Sequence, residues 1–562
     1  MADPNALIKE WDLLKSQRFN WDSHWQRVHD IVWPDGGEFT RERSPGERRT
    51  SNPQLYDMTN VLAIESFAAV MESLLTPRNQ IWHRLKPSLP ELAEVHEAKE
   101  YFEELTRILF AVRNRPGSGF YDQKHEGYKS LGAYGNDCLN PAPMKGGGIS
   151  YRYVHVGAVW VETDDRGRID TIFYKFKLSR KAAFQKWGDR SPKCVMDKLE
   201  AKPYEDCEFL HVVKPRKDFD PRLIGPKGMK WESWEVSIKD REFIFIRDAL
   251  RGTLEESGGF DTIPYIYSRF TVNPAEKHGR GPAMLILPDN ESLQEMSRSQ
   301  LLAGQMAAEP PLLTQDDGLL AQVDADEGLT LQPGALNSGW LDQFGKPRAV
   351  AFDNGYKHTL TEDMLAQKRD VINQAHLVTL FQILVDNPQM TATEALLRAQ
   401  EKGQLITPTV GRQQDEMLGR MIERELDILE QQGLLPPPPQ VLVEAEGEYD
   451  IVYESAATRL QKEEEIQAVR AAYADIIPLM ELDPTVASVP KIHETARFLL
   501  EARGVPARLI NSEEEVREEL AAEAEVSQEE QAIDAIPGMA RAAKDLQSAN
   551  LLPQQTQQAA AG

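Results

Sequence analysis

Apolar residues in the first ninety positions recur every three or four residues, the period of a helix with one buried face. Ile8, Trp11 and Leu14, then Trp21, Trp25, Val28 and Val32, form one such stripe, which Pro34-Asp-Gly-Gly37 ends. Val61, Ile64, Phe67, Ala68, Met71 and Leu75 form a second over about 57–75, closed by Thr76-Pro77. Two more helices are predicted over about 92–114 and 121–134. The period then falls to two. Residues 151–162 and 169–177 are β-branched and aromatic, joined by Thr163-Asp-Asp-Arg-Gly-Arg168, a hairpin signal. Further strand candidates are 208–214, 231–238, 242–246 and 263–270.

After His278 the helical period returns. A rod runs from Pro288-Asp289 to Glu309, where Pro310-Pro311 stops it; roughly 20 residues at ~1.5 Å each give about 30 Å. Its end is small-sided (Ala303, Gly304, Ala307, Ala308), which permits close approach of another helix. Residues 312–356 are rich in Asp, Gly and turn signals. A second rod opens at Thr359-Leu-Thr-Glu362, spaced as a capping box, and carries Leu365, Val371, Ile372 and Ala375. Two rods flanking a short insert predict an antiparallel pair with an elaborate tip. A second capping box, Thr391-Ala-Thr-Glu394, opens a helix over 391–432, with a kink expected at Pro408. Gly433 and the proline run 436–439 end it. Beyond a strand candidate at 449–453 the rest reads as helical. The predicted class is α+β, predominantly helical.

Composition adds exclusions. The chain has 562 residues, 41% apolar and 27% charged, an ordinary globular balance long enough for three or four domains. Its 64 basic and 89 acidic residues give a net charge of −25. That excludes a protein that wraps nucleic acid with a basic surface, but not one past which DNA slides. Three cysteines (Cys138, Cys194, Cys207) form no C-x-x-C pair, implying a reduced, intracellularly made protein. No signal peptide is read at the N-terminus, and no apolar run approaches the ~20 residues a bilayer span needs, so no membrane association is expected. Residues 513–534 hold ten acidic residues against one basic, Arg517, and the Gln/Ala-rich tail from Gln547 reads as disordered.

Catalytic signatures are absent. There is no P-loop: Lys145-Gly-Gly-Gly148 lacks the Lys-Ser/Thr that opens a phosphate-cradling helix. No H-E-x-x-H or G-x-S-x-G occurs. Asp164-Asp165 and Asp324-Ala-Asp326-Glu327 are candidates for Mg²⁺, as in two-metal nucleases, yet Asp is equally favoured in turns for backbone reasons. A metal-dependent nucleic-acid-processing enzyme is therefore the alternative reading. No catalytic residue, metal ligand or cofactor is expected. Arg41, Arg43, Arg48 and Arg49 form the strongest basic cluster, either a contact to nucleic acid or an acidic neighbour, or a solvated loop. The four early tryptophans read as core or subunit anchors rather than base-stacking platforms.

One segment carries more. His278-Gly-Arg-Gly-Pro-Ala-Met-Leu-Ile-Leu-Pro-Asp-Asn-Glu-Ser-Leu-Gln-Glu-Met296 closely resembles the G-R-G-P…L-P-D…L-N-x-M signature of portal proteins of short-tailed phages, the bacteriophage head-to-tail connector family. In matching order, Tyr56-Asp-Met-Thr59 through Leu75-Thr-Pro77 with Trp82 resembles the family's D-x-T…L-x-P…W-F stretch. Pro310-Pro-Leu312, Met390-Thr-Ala-Thr-Glu394 and Leu429 through Pro436 are similar to its later motifs. The resemblance spans roughly residues 5–500.

The resemblance implies a portal fold assembled as a ring, usually of twelve copies, around an axial channel. It implies a wing over 1–284, stem helices over 285–309 and 359–376 flanking a clip over 310–358, and a tunnel loop over 377–390. A kinked helix returning to the wing would cover 391–455 and a helical crown 456–510; an acidic extension and disordered tail would cover 511–562. The implied function is a non-enzymatic conduit for double-stranded DNA at one capsid vertex of the virion, made and assembled in the host cytoplasm. Terminase large subunit, tail adaptor, major capsid, scaffold and internal core proteins are the implied partners. Basic channel-facing candidates by position are Lys346, Arg348, Lys357, Lys368 and Arg369; each is alternatively one half of an inter-subunit ion pair. Tunnel-loop candidates are Leu380, Phe381, Gln382 and Ile383. Another virion structural protein, an internal core or scaffold protein, is a further alternative, disfavoured by the strand-rich block over 151–270.

Overall fold

The computed structural model describes residues 3–41, 55–247, 254–309, 312–314, 336–338, 341–347, 358–378 and 407–511. Single positions and short stretches within these spans are excepted, and a few positions to 521 are added. The chain divides into two compact units. One comprises residues 1–83, 107–436 and 453–455; the other comprises 84–106, 437–452 and 456–562.

In the first unit, α1 (Pro4–Val32) begins where Asp3 accepts a hydrogen bond from the Asn5 amide, with Pro4 at the first helical position, where its missing N–H is no loss. The expected stripe is its buried face. Trp11, Trp25 and Trp33 are buried, so these tryptophans are core anchors. The next elements in chain order are α2 (Thr59–Leu75), β1 (His83–Pro87), α3 (His96–Arg113) and α4 (Phe120–Tyr134), of which residues 84–106 belong to the second unit. Strands β2 (Asn136–Pro143), β3 (Ile149–Tyr153), β4 (Val159–Thr163) and β5 (Ile169–Ser179) follow. Then come α5 (Arg180–Trp187), α6 (Lys193–Met196), β6 (Asp206–Pro215), β7 (Trp231–Ser237) and β8 (Glu242–Ile244). Two-residue strands β9 (Ile246–Arg247) and β10 (Leu254–Glu255) precede β11 (Gly258–Phe260) and β12 (Ile266–Arg269).

Strands β11-β7-β6-β5-β4, with β8 beside β7, make a six-stranded antiparallel sheet. Period-two alternation gives it two apolar faces. On one, Leu7, Ile8, Trp11 and Leu14 of α1 meet Trp160, Phe173, Leu210, Val212, Trp234 and Val236. On the other, Ala183, Cys194 and Val195 meet Cys207, Phe209 and Ile244. Burying each such side chain contributes about 1.5–3 kcal/mol.

The strand expected over 151–162 is in fact two. Tyr151–Tyr153 belongs to a separate sheet, β12-β2-β3, and a 3₁₀ turn at Val156–Ala158 leads into β4. Arg18 of α1 donates to the Val156 and Gly157 carbonyls of that turn and to Val159, which holds the break in place. Strand β2 is absent from the expected strands, and it carries Pro141 and Pro143. Both lie beyond Leu139, the last residue of β2 paired with β12, so neither removes a hydrogen bond from that ladder.

The chain returns to helix with α7 (Pro282–Leu285) and α8 (Leu287–Ala308). Short strands β13 (Leu312–Thr314) and β14 (Leu336–Ser338) pair in parallel. Then come α9 (His358–Ala375), α10 (Thr407–Gln413), a π-helical turn at Gln414–Gly419 and α11 (Arg420–Gln431). The two expected rods are α8 and α9. Thr359, the expected cap, lies within α9. The capping box at 391–394 lies outside the described residues. Residues 391–406 lie outside the described residues, and the kink expected at Pro408 with them; among the described residues the helix is interrupted by the π turn. It frees the Gln414 carbonyl to accept from the Tyr453 hydroxyl at 2.9 Å. Gln413 and Glu416 dock on β12, Glu416 gripping Arg269 with both carboxylate oxygens.

In the second unit, β1 pairs with β15 (Tyr449–Tyr453) after the short α12 (Gln440–Glu444). Helices α13 (Ala456–Leu482) and α14 (Ile492–Ala502) complete it. Tyr473 donates to Thr495 at 2.8 Å, and Glu103 accepts the Ala507 amide at 2.7 Å.

Candidate functional site

The root of the α8–α9 pair is where the family-like segments come together. Helix α4 ends on Gly135 in the left-handed conformation (φ 73°), its amide bonded to the Leu131 carbonyl, a helix stop that favours glycine. Against this end lies His278-Gly-Arg-Gly-Pro282. A Cβ on Gly135 would fall 2.4 Å from the Gly281 nitrogen; one on Gly279 would fall 2.4 Å from the Gly135 oxygen; one on Gly281 would fall 2.5 Å from the Gly132 oxygen. Backbone meets backbone here, and only glycine leaves room. Asn136 fixes the crossing by accepting the Gly279 amide at 2.7 Å and donating to its carbonyl at 3.3 Å. His278 is buried against Trp21 and Trp25 and bonded to the Tyr267 hydroxyl. Burial, with Arg18, Lys277 and Arg269 nearby, pushes its pKa down to about 3, so it is neutral. Arg280 forks onto Glu276 over the Trp21 ring. Pro282 then opens α7, so the crossing aims α8.

Helices α2, α8 and α9 share an apolar core of Ala63, Leu293, Leu365 and Ile372. Polar ties surround it. Gln294 of α8 accepts the Tyr56 and Asp57 amides at 2.8 and 3.0 Å and donates to the Asp57 carbonyl at 2.7 Å. Asp57 accepts from the Thr59 amide and, through Oδ2, from Arg369 at 2.8 and 2.9 Å. Lys368 pairs with Asp289, and Arg27 of α1 with Glu291. Beyond Ser297, α8 runs bare: Leu301 and Leu302 are 53% and 42% exposed, and the small residues Ala303, Gly304, Ala307 and Ala308 are exposed with them.

Burial raises the Asp57 carboxyl pKa, but the bonds from Thr59 and Arg369 outweigh it and leave the carboxyl below its ordinary value. Such a group stabilises the fold above its unfolded pKa of ~3.9 and loses that contribution as pH falls through the lower folded value. Asp57→Asn is therefore expected to be less stable than the parent at neutral pH. The gap should narrow as pH falls below about 4, read by urea titration at a series of pH values; a gap independent of pH would count against the assignment.

Of the basic channel candidates, Lys368 and Arg369 are engaged with Asp289 and Asp57 of the same chain. Lys346 is exposed in a turn whose amides, its own and Phe344's, bond the Asp342 carboxylate. Arg348, Lys357, Leu380, Phe381, Gln382 and Ile383 lie outside the described residues, as do Arg43, Arg48, Arg49 and Asp324, Asp326 and Glu327. Asp164 is a turn residue, its carboxylate accepting the Arg166 and Arg168 amides. Among the described residues no group of three or more His, Cys, Asp or Glu could hold a metal ion, and no helix is long and apolar enough to cross a membrane. Asp57 and Gln294 went unremarked as partners, although both lie in family-like segments; 237 positions separate them, and nothing local signals their meeting.

A family profile described as bacteriophage head to tail connecting protein matches residues 4–510. The portal protein of Salmonella phage epsilon15 is 25% identical over 545 residues, 94% of this chain and 93% of that protein. A probable portal protein of Bordetella phage BPP-1 is 26% identical over 448 residues, 78% of this chain and 77% of that protein. A chain from the virion of a native gene transfer agent particle aligns over 80% of this chain and 95% of its own, at 10% identity and a TM-score of 0.29, a likeness too low to argue from.

Proposed function

The chain belongs to the bacteriophage head-to-tail connecting protein family, a portal-type connector of the virion, and on that premise we propose that it assembles into a closed ring around a DNA channel. The observation that carries the ring is the bare half of α8. Leu301 and Leu302 stand exposed beside a run of small residues, a surface fit for the same helices of neighbouring copies in cyclic symmetry. The glycine crossing and the ion pairs at its base hold the helix in one direction, which a closing ring requires.

Double-stranded DNA passes through the channel without chemistry on the protein, and a separate terminase supplies the work. The acidic balance of −25 favours this: a lumen that repels phosphates holds DNA away from the wall, so it slides without sticking. Lys346, repeated around the ring at the clip, gives one weak basic girdle. Lys368 and Arg369 serve the stem root instead. The clip docks terminase and later the tail adaptor; the wing meets capsid and scaffold proteins.

Native mass measurement with negative-stain imaging tests this. Twelve copies of 63.5 kDa give about 760 kDa for a closed cyclic assembly, with a central hole. A stable dimer or tetramer that cleaves DNA in a metal-dependent way would overturn it.

A further inference from the structure

The β6–β7 connection is the most basic surface loop described. Residues 216–230 carry Arg216, Lys217, Arg222, Lys227 and Lys230 against Asp218 and Asp220, in a chain that is acidic overall. Its ends are tied, the Arg216 amide bonding the Lys230 carbonyl at 2.9 Å, which makes it a compact closed loop of the kind that often carries function. It is braced inside. Asp220 accepts the Arg222 amide on its carboxylate and the Leu223 amide on its carbonyl. Pro226–Gly228 forms a 3₁₀ turn, and a Cβ on Gly228 would strike the Leu223 carbonyl at 1.8 Å. Arg216 donates inward to Gly258, and Lys230 lies near Asp261 and Glu423. Lys217, Arg222 and Lys227 are exposed and make no ion pair among the described residues. Beside them Phe219 and Leu223 are 39% and 48% exposed. The bracing thus presents three cations and two apolar side chains to solvent.

We propose that this loop is a docking site for an acidic polypeptide segment of another protein, one bearing apolar side chains that cover Phe219 and Leu223. The reading rests on the connector role and adds a contact on the β6–β7 loop. Apolar groups beside arginine and lysine suit a protein interface; a phosphate backbone leaves Phe219 and Leu223 uncovered. Charge supports the choice further. A duplex carries one charge per ~1.7 Å of axis and meets the repulsion of an acidic chain more strongly than a peptide only part of whose residues are acidic.

The test uses the full-length protein and three probes: a 24-residue peptide of alternating Glu-rich and Leu positions, a 24-residue oligoglutamate, and a 24-base-pair DNA duplex. The Glu/Leu peptide should bind most tightly. Lys217→Glu/Arg222→Glu/Lys227→Glu should weaken it at least tenfold, and Phe219→Ala/Leu223→Ala should remove its advantage over oligoglutamate. Native mass and thermal unfolding of both variants should match the parent. Tighter binding of the duplex, or no binding of either peptide, overturns the proposal. Neither outcome touches the ring, which the native mass reads separately.

Discussion

Gly135→Ala is expected to destabilise the protein by about 2–5 kcal/mol, the sum of two separable penalties. An L-residue in the left-handed region costs about 1–2 kcal/mol, and overpacking costs about 1–3 kcal/mol. The upper end applies, because the atoms struck are the Gly281 nitrogen, the Arg280 carbonyl carbon and the Gly279 oxygen, none of which swings aside as a side chain does. Gly146 supplies the control. It too is left-handed (φ 94°), with nothing within 4 Å of its absent Cβ, so Gly146→Ala should lose only the first penalty. Urea titration of both variants reads the difference. Equal losses would show that α4 and the segment before α8 do not need their close approach. The proposed function adds a second readout: because the crossing aims α8, Gly135→Ala should yield fewer closed rings even where it folds.

The second large effect lies in the first unit's core. Arg113, at the end of α3, forks onto Glu425 of α11 with Nε at 3.0 Å and Nη2 at 2.5 Å, and the Tyr151 hydroxyl of β3 donates to the same carboxylate. Both side chains are 0% exposed. Trp82, Phe110 and Phe120 wall the guanidinium, and His83 beside it is driven well below its usual pKa by burial and by Arg113, so it adds no second charge. Glu425→Ala leaves a buried cation without its partner, which costs about 3–5 kcal/mol. Removing both charges with Arg113→Met/Glu425→Leu should recover most of that, since well-packed apolar replacements of buried pairs are often neutral. If the double variant is no more stable than the single one, the pair holds α3, β3 and α11 in register rather than merely cancelling charge.

Local pattern made much of this fold legible. The stripe through Trp11 and Trp25 marks a helix, and the proline stops and small residues around 288–309 mark the rod that became α8. What resisted was set by distant partners. Strand β2, Asn-Asp-Cys-Leu-Asn-Pro-Ala-Pro, shows no period-two pattern of its own; β3 lies along one side of it and β12 along only half of the other. The break after Tyr153 depends on Arg18, more than a hundred positions away. The π turn meets the Tyr453 hydroxyl, which arrives from β15. At the candidate site the glycines of 279 and 281 were visible as a motif, but their reason was not, because it is the arrival of Gly132 and Gly135 from another helix. Lys368 and Arg369 read as channel-facing cations or halves of inter-subunit ion pairs, and Asp289 and Asp57 of the same chain engage both.

The bare half of α8 has a consequence for proteolysis. Helix turns without tertiary cover open readily, and the stretch after Ser297 offers Arg298 and then Leu301 and Leu302 to any protease nearby. In the proposed ring a copy outside the assembly would keep that stretch open, and a copy inside it would hide it. Limited proteolysis of the unassembled chain is therefore expected to cut first in the turns after Ser297, and the proposed ring to be cut there far more slowly.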